Sequence, residues 1–290
     1  MMGFLWRYTN ISSLKHMIRE KTLRFSNLNS MDDKDESWSD TDTQEGDHVF
    51  ISCWTDKEEE DLKMWENYCR PDMGSGVRIK LPKNPFSTTE NKFPNQMDIL
   101  AEVATRQANY IKKEYGVDPT NIEEHKRYLL RAQREKPDEY AELVENINIL
   151  KNEFPICKTP DVEKLLIQVN YTDDINILYP RIHYSESGVN ILDFGQYGKC
   201  KDTSWAWQRE WRYLLHFRHI NNGIIHTDGT IDIYPLPFDH YNLILKDEAI
   251  QMMEITLSPT ITEENRNAVR TLVKESQYDN IKIFESQIKV

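Results

Sequence analysis

Apolar residues alternate with polar ones over short runs and recur at 3.6-residue spacing over longer ones. Each switch between the two periods marks an element. FLWRYT at 4–9 reads as a first strand. A helix is expected over roughly 11–21, because Ile11, Leu14, Met17 and Ile18 fall on one face; Ser12 or Asn10 is placed to cap it. LRFSNL at 23–28 is extended again. The stretch 31–47, MDDKDESWSDTDTQEGD, is acidic and nearly free of apolar residues, so it reads as a loop. HVFISCW at 48–54 is the next strand. Thr55 and Glu58 have capping-box spacing before a helix whose buried face carries Leu62, Trp65 and Cys69. Gly74 and Gly76 turn the chain into the strand VRIKL at 77–81, which makes 48–81 a strand–helix–strand unit.

From 86 to 160 the period is helical throughout. Tyr140, Leu143, Val144, Ile147 and Leu150 form one stripe, and Pro119, Pro137, Pro155 and Pro160 punctuate the segment. This predicts a helical insertion of about three helices in a core made of 1–85 and 161–290. Strands resume with LLIQVNY at 165–171. A Tyr-rich connection then leads to SWAWQREWRYLLHF at 204–217 and to a hairpin turning at Asp228-Gly229. MMEITLS at 252–258, a helix capped by Thr262 with Val269, Leu272 and Val273 inward, and a last strand IKIFES at 281–286 complete the pattern. Short hairpins mixed with helical connections predict an α+β fold: a mixed, mainly antiparallel sheet core with flanking helices and an inserted helical subdomain.

Composition narrows the function classes. Of the 290 residues 39% are hydrophobic and 29% charged, which suits a globular chain rather than a disordered one. No apolar run reaches the ~20 residues needed to cross a bilayer, and the N-terminus lacks the charged-then-apolar order of a secretory signal. A cytoplasmic protein without membrane association is expected. Cys53, Cys69, Cys157 and Cys200 form no CxxC pair and fit no zinc module, so they read as reduced thiols. The net charge of −12 repels anionic partners and disfavours non-specific nucleic-acid binding.

The strongest chemical pattern lies at 208–217. Side chains alternate between the faces of a strand. Arg209, Trp211, Tyr213, Leu215 and Phe217 then form a mostly apolar face turned to the core. Gln208, Glu210 and Arg212 share the opposite face. An amide, a carboxylate and a guanidinium in line can bind hydroxyls or phosphates, or act in catalysis. The plainer alternative is a solvated face with an internal salt bridge.

Lys201, Trp205, Gln208, Glu210 and Arg212 match K-x-x-x-W-x-x-[EQ]-x-E-x-R, which resembles the late motif of the bacterial family called domain of unknown function 2971. LWRYT at 5–9, SNLNSMDDKDE at 26–36, and Met64, Trp65, Tyr68 and Gly76 within 51–81 are similar to earlier segments of the same family, in the same order. The chain departs at Asp32-Asp33-Lys34-Asp35, where the family's proline and phenylalanine are lost, and at Gln208, where a glutamate is usual. LWRYTNISSL at 5–14 is similar, more remotely, to the first strand and helix of ADP-ribosyltransferases. That likeness implies NAD as substrate, with Arg7 on the ribose or phosphate, Glu210 as the catalytic carboxylate and Gln208 orienting a macromolecular acceptor. Tyr8, Trp54 or Tyr68 would stack on nicotinamide, and Arg212 would contribute to binding. No metal is implied. Two other readings stay open: a non-catalytic module recognising a nucleotide or protein in defence or signalling, and a metal-dependent hydrolase using Asp32, Asp33, Asp35 or Glu36 with Glu210.

Overall fold

The computed structural model describes residues 3–39, 46–69, 73–93, scattered positions between 101 and 145, 156–157, 161–186, 189–193, 195–218, 223–225, 231–233 and 236–290. The chain divides into two units. The first comprises Met1–Lys92, Asp161–His216 and Phe238–Val290; the second comprises Phe93–Pro160 and Phe217–Pro237. The fold is α+β, with a mixed and mostly antiparallel sheet.

Two strand–helix–strand segments organise the first unit. β1 (Phe4–Asn10) leads into α1 (Ile11–Glu20) and β2 (Thr22–Asn27). Asn10 caps α1 by accepting from Ser13 N, and Ile11, Leu14, Met17 and Ile18 are its buried face, as the spacing predicts. β3 (Val49–Thr55) leads through α2 (Leu62–Tyr68) to β4 (Gly76–Pro82). Here the expected cap is corrected. Thr55 belongs to β3, and Asp61 caps the helix by accepting from Lys63 N. Its buried face is Met64, Trp65 and Cys69, whereas Leu62 is exposed. Trp65 is fully buried edge-on to Tyr8, a burial that contributes about 2–3 kcal/mol.

The main sheet runs His240–Ile244, β2, β3, β1, β4, Glu254–Leu257, Lys282–Glu285; the last two strands are parallel and the rest antiparallel. Strand Glu210–Arg218 pairs along the other edge of β3, from Glu210↔Thr55 to His216↔Val49, and Leu166–Gln168 lies beyond it. One edge of β3 is shared by two strands. β2 pairs at Phe50 and Ile51, β1 only at Thr55 through Trp6, and no pairing joins Ser52, Cys53 and Trp54 to either. β1 stays paired with β4 along its whole length, so it splays away from β3 and leaves a seam in the sheet.

Thr262 caps helix Glu263–Glu275, which turns Val269 and Leu272 inward. In the second unit, helix Ile122–Glu135 and the hairpin Gly223–Ile225/Ile231–Ile233 are described. Leu143, Ile147 and Leu150 of the predicted stripe, the Asp228-Gly229 turn, Pro119, Pro155 and Pro160, and residues 40–45 of the acidic loop lie outside the described residues. Among the described residues no helix is long and apolar enough to cross a membrane.

Candidate functional site

A cavity of about 260 Å³ opens at the seam. Strand β1 contributes Trp6, Arg7, Tyr8 and Thr9, and β3 contributes Ile51, Cys53 and Trp54. Helix α2 adds Met64 and Tyr68. Asp32, Asp33 and Glu36 enter from the acidic loop, and Lys201, Trp205, Gln208, Glu210 and Arg212 from the late motif. The seven residues expected of an NAD site, Arg7, Tyr8, Trp54, Tyr68, Gln208, Glu210 and Arg212, therefore line one cavity, whereas Asp35 of the metal alternative does not.

Their arrangement departs from the expected row on a strand. Thr203–Gln208 is a 3-10 helix, and the strand begins only at Glu210. Between them Arg209 adopts φ 48, the left-handed region that costs a non-glycine residue about 1–2 kcal/mol. Neighbours hold this turn in place: the Thr55 hydroxyl donates to Gln208 O at 2.7 Å, Glu210 N donates to the Tyr171 hydroxyl at 2.8 Å, and Arg209 pairs with Asp56. The turn, not strand alternation, brings Gln208 to the side of Glu210. The polar row is also not solvated: Gln208, Glu210 and Arg212 are all buried.

Glu210 lies inside a closed set of charges. Arg212 Nε donates to Glu210 Oε1 at 2.7 Å and Nη2 to Oε2 at 3.2 Å. Arg212 Nη1 donates to Gly198 O at 2.9 Å and to Glu36. Lys201 Nζ lies 3.1 Å from each of Glu210 Oε2, Glu36 Oε1 and Gln208 Oε1. The side chains range from 1% exposed for Arg212 to 8% for Lys201. Two cations and two carboxylates sum to zero, which makes the burial tolerable. Burial alone would raise the Glu210 pKa, but Arg212 and Lys201 outweigh it and hold the acid well below the usual carboxylate range. Burial works against the Lys201 ammonium, and Glu210 and Glu36 reverse that as well. Arg212, expected to help bind a ligand, is thus committed within the protein.

Arg7 is placed differently. Trp6, Thr55 and Glu210 are register partners in one row across three strands and so share a face. Arg7, one residue on, projects to the other face, where Nη1 donates to Ser52 Oγ at 2.6 Å. Arg7 and Glu210 thus reach the cavity from opposite faces through the seam, without the direct juxtaposition expected of them. Burial lowers the Arg7 pKa, and no carboxylate pairs with its guanidinium among the described residues. Of the three stacking candidates, Tyr8 and Trp54 are built into the core. The Tyr8 hydroxyl accepts from Asp61 N, and Trp54 Nε1 donates to Ser52 Oγ. Tyr68 is only half-buried. Among the acidic-loop residues at the cavity, Asp33 has its pKa raised by burial and then by Glu36.

Lys201 and Trp205 of the quoted motif also line the cavity, and Glu36, named only as a possible metal ligand, instead pairs with Arg212 and Lys201. Glu36 sits 176 residues from Arg212, a pairing no local pattern encodes. Among the described residues no three His, Cys, Asp or Glu side chains gather as a metal site. No family model, curated protein or solved structure matches the chain.

Proposed function

We propose that the cavity binds the nicotinamide end of NAD and that the protein is an ADP-ribosyltransferase-like enzyme or NAD glycohydrolase. The observation that carries this reading is a single cavity lined by Arg7, whose guanidinium pairs with no carboxylate among the described residues, by the ionised carboxylate of Glu210 and by half-buried Tyr68. Ligand pockets usually enclose ~300–1,000 Å³. About 260 Å³ suits one end of a dinucleotide, with the adenosine outside. Arg7 would anchor a phosphate or ribose oxygen through a charge-assisted hydrogen bond. In the reaction the bond from C1′ to the pyridinium nitrogen breaks, and nicotinamide leaves neutral with the electron pair. Water or an acceptor group then adds at C1′ and loses its proton to solvent. The leaving group needs no proton. A carboxylate of depressed pKa therefore suits this step, because it opposes the positive charge that grows on the ribose.

A second reading is favoured by one observation: both oxygens of Glu210 are already held by Arg212 and Lys201, which offset its charge. On that reading the cavity recognises a nucleotide without cleaving it. NAD labelled in the nicotinamide ring separates the two. The enzyme releases label, and Glu210→Gln stops the release while circular dichroism stays native. Binding of NAD without release, in wild-type protein, would sink the catalytic reading in favour of recognition.

A further inference from the structure

The Gln208 amide is gripped at both ends. Its Oε1 lies 3.1 Å from Lys201 Nζ, and its nitrogen donates to the Tyr68 hydroxyl. An ammonium group carries donors only, so Lys201 dictates which end of the amide faces it. The carboxylates of Glu210 and Glu36 keep Lys201 charged and in place. The amide nitrogen is thereby forced toward Tyr68, and the phenol oxygen must accept. A phenol that accepts through a lone pair keeps its own O–H for another direction. Tyr68 lines the cavity, and its hydroxyl has no second hydrogen-bond partner among the described residues. Burial, and then Glu210, raise the Tyr68 pKa, so the proton stays on.

We propose that Gln208 is a positioning residue that fixes Tyr68 as a hydrogen-bond donor into the cavity, so that the bound ligand presents an unprotonated oxygen, carbonyl or phosphate, at that point. The cavity then favours ligands offering an acceptor there, because a donor-only ligand would forgo the hydrogen bond from the phenol. The identity of the ligand rests on the NAD reading; the direction of the phenol proton does not. A carboxylate at 208 would reverse the device. It would accept from the phenol, withdraw the O–H from the cavity and add a negative charge to a neutral cluster.

The test uses full-length protein carrying ¹³C at the tyrosine ζ carbons, first without ligand. Loss of one signal in Tyr68→Phe assigns Tyr68. In Gln208→Glu that signal moves as the phenol turns to donate to the new carboxylate. Where the added charge prevents folding, Gln208→Met serves, because losing the amide donor also moves the signal. A Tyr68 signal unmoved in both variants overturns the proposal. In the second arm, NAD, nicotinamide and ADP-ribose are titrated by calorimetry. Tyr68→Phe weakens NAD about fivefold, the equivalent of one neutral hydrogen bond. A parallel loss for nicotinamide alone assigns the carbonyl oxygen; a parallel loss for ADP-ribose alone assigns the phosphate. Gln208→Met then costs little more once the Tyr68 hydroxyl is gone, since it acts through that group. Unchanged NAD affinity in Tyr68→Phe overturns the proposal. A Tyr68 signal that moves in protein binding no NAD supports the donor and overturns the NAD reading instead.

Discussion

Replacing Glu210 with glutamine removes one charge from the neutral set of Lys201, Arg212, Glu36 and Glu210 while keeping nearly the same volume. What remains is two cations facing one carboxylate, all but shut off from water. Breaking a buried pair in this way typically costs about 3–5 kcal/mol, because a charge is left uncompensated. Set against a total stability of ~5–15 kcal/mol, that is a large loss. Urea unfolding followed by tryptophan fluorescence measures it, and the seven tryptophans, at 6, 38, 54, 65, 205, 207 and 211, all lie in the first unit and report on that unit alone. Glu210→Gln is expected to lower the midpoint strongly. The double variant Glu210→Gln/Lys201→Met, neutral again with Arg212 opposite Glu36, recovers at least half of the loss. A cost under about 1 kcal/mol for Glu210→Gln, the value of an exposed ion pair, would mean that the four charges are open to water.

Three further outcomes follow from the same geometry. Arg7→Ala should weaken NAD binding roughly tenfold to a hundredfold in calorimetry, the loss of one charge-assisted hydrogen bond of ~1.5–3 kcal/mol; unchanged affinity would remove Arg7 from the site. The folded pKa of Glu210 is depressed from its ordinary value of 4.5, so its stabilisation is complete above that pH and is lost as pH falls through the lower, folded value. Urea midpoints across an acid series should therefore drop below about pH 4.5, less steeply in Glu210→Gln; equal slopes would count against the network. Gly198 sits at φ 72, its carbonyl accepts from Arg212, and a Cβ there would meet the buried Leu214 Cδ1 at 3.0 Å. Gly198→Ala should cost ~1–3 kcal/mol in thermal unfolding, and a neutral result would mean the turn is not constrained as drawn.

The elements that were legible carry their signal locally. The α1 stripe and its Asn10 cap, the strands at 4–10, 49–55 and 76–82, and the Thr262 cap all follow from side-chain period or cap chemistry. The misread positions are those where one local signal competed with another. Thr55 has the spacing of a cap, but its hydroxyl is taken by the Gln208 carbonyl and the chain continues as strand. Gln208 continues the alternation of 210–216 on paper, yet the left-handed Arg209 breaks it. The charge cluster was legible only in part. Glu210 and Arg212 are two residues apart, but Glu36 reaches them from the far end of the chain, and its partner choice is set by the tertiary fold. The seam was not legible either, since strand pairing depends on long-range register.

Titration of NAD into wild-type protein by calorimetry, with Arg7→Ala and Glu210→Gln alongside, tests most directly whether the seam cavity is a nicotinamide-nucleotide site. A nicotinamide-nucleotide site gives saturable one-to-one binding with a Kd at or below about 1 mM, the upper end of ordinary substrate affinities, weakened in Arg7→Ala. No heat of binding in wild-type protein up to that concentration, or binding indifferent to Arg7, would contradict it.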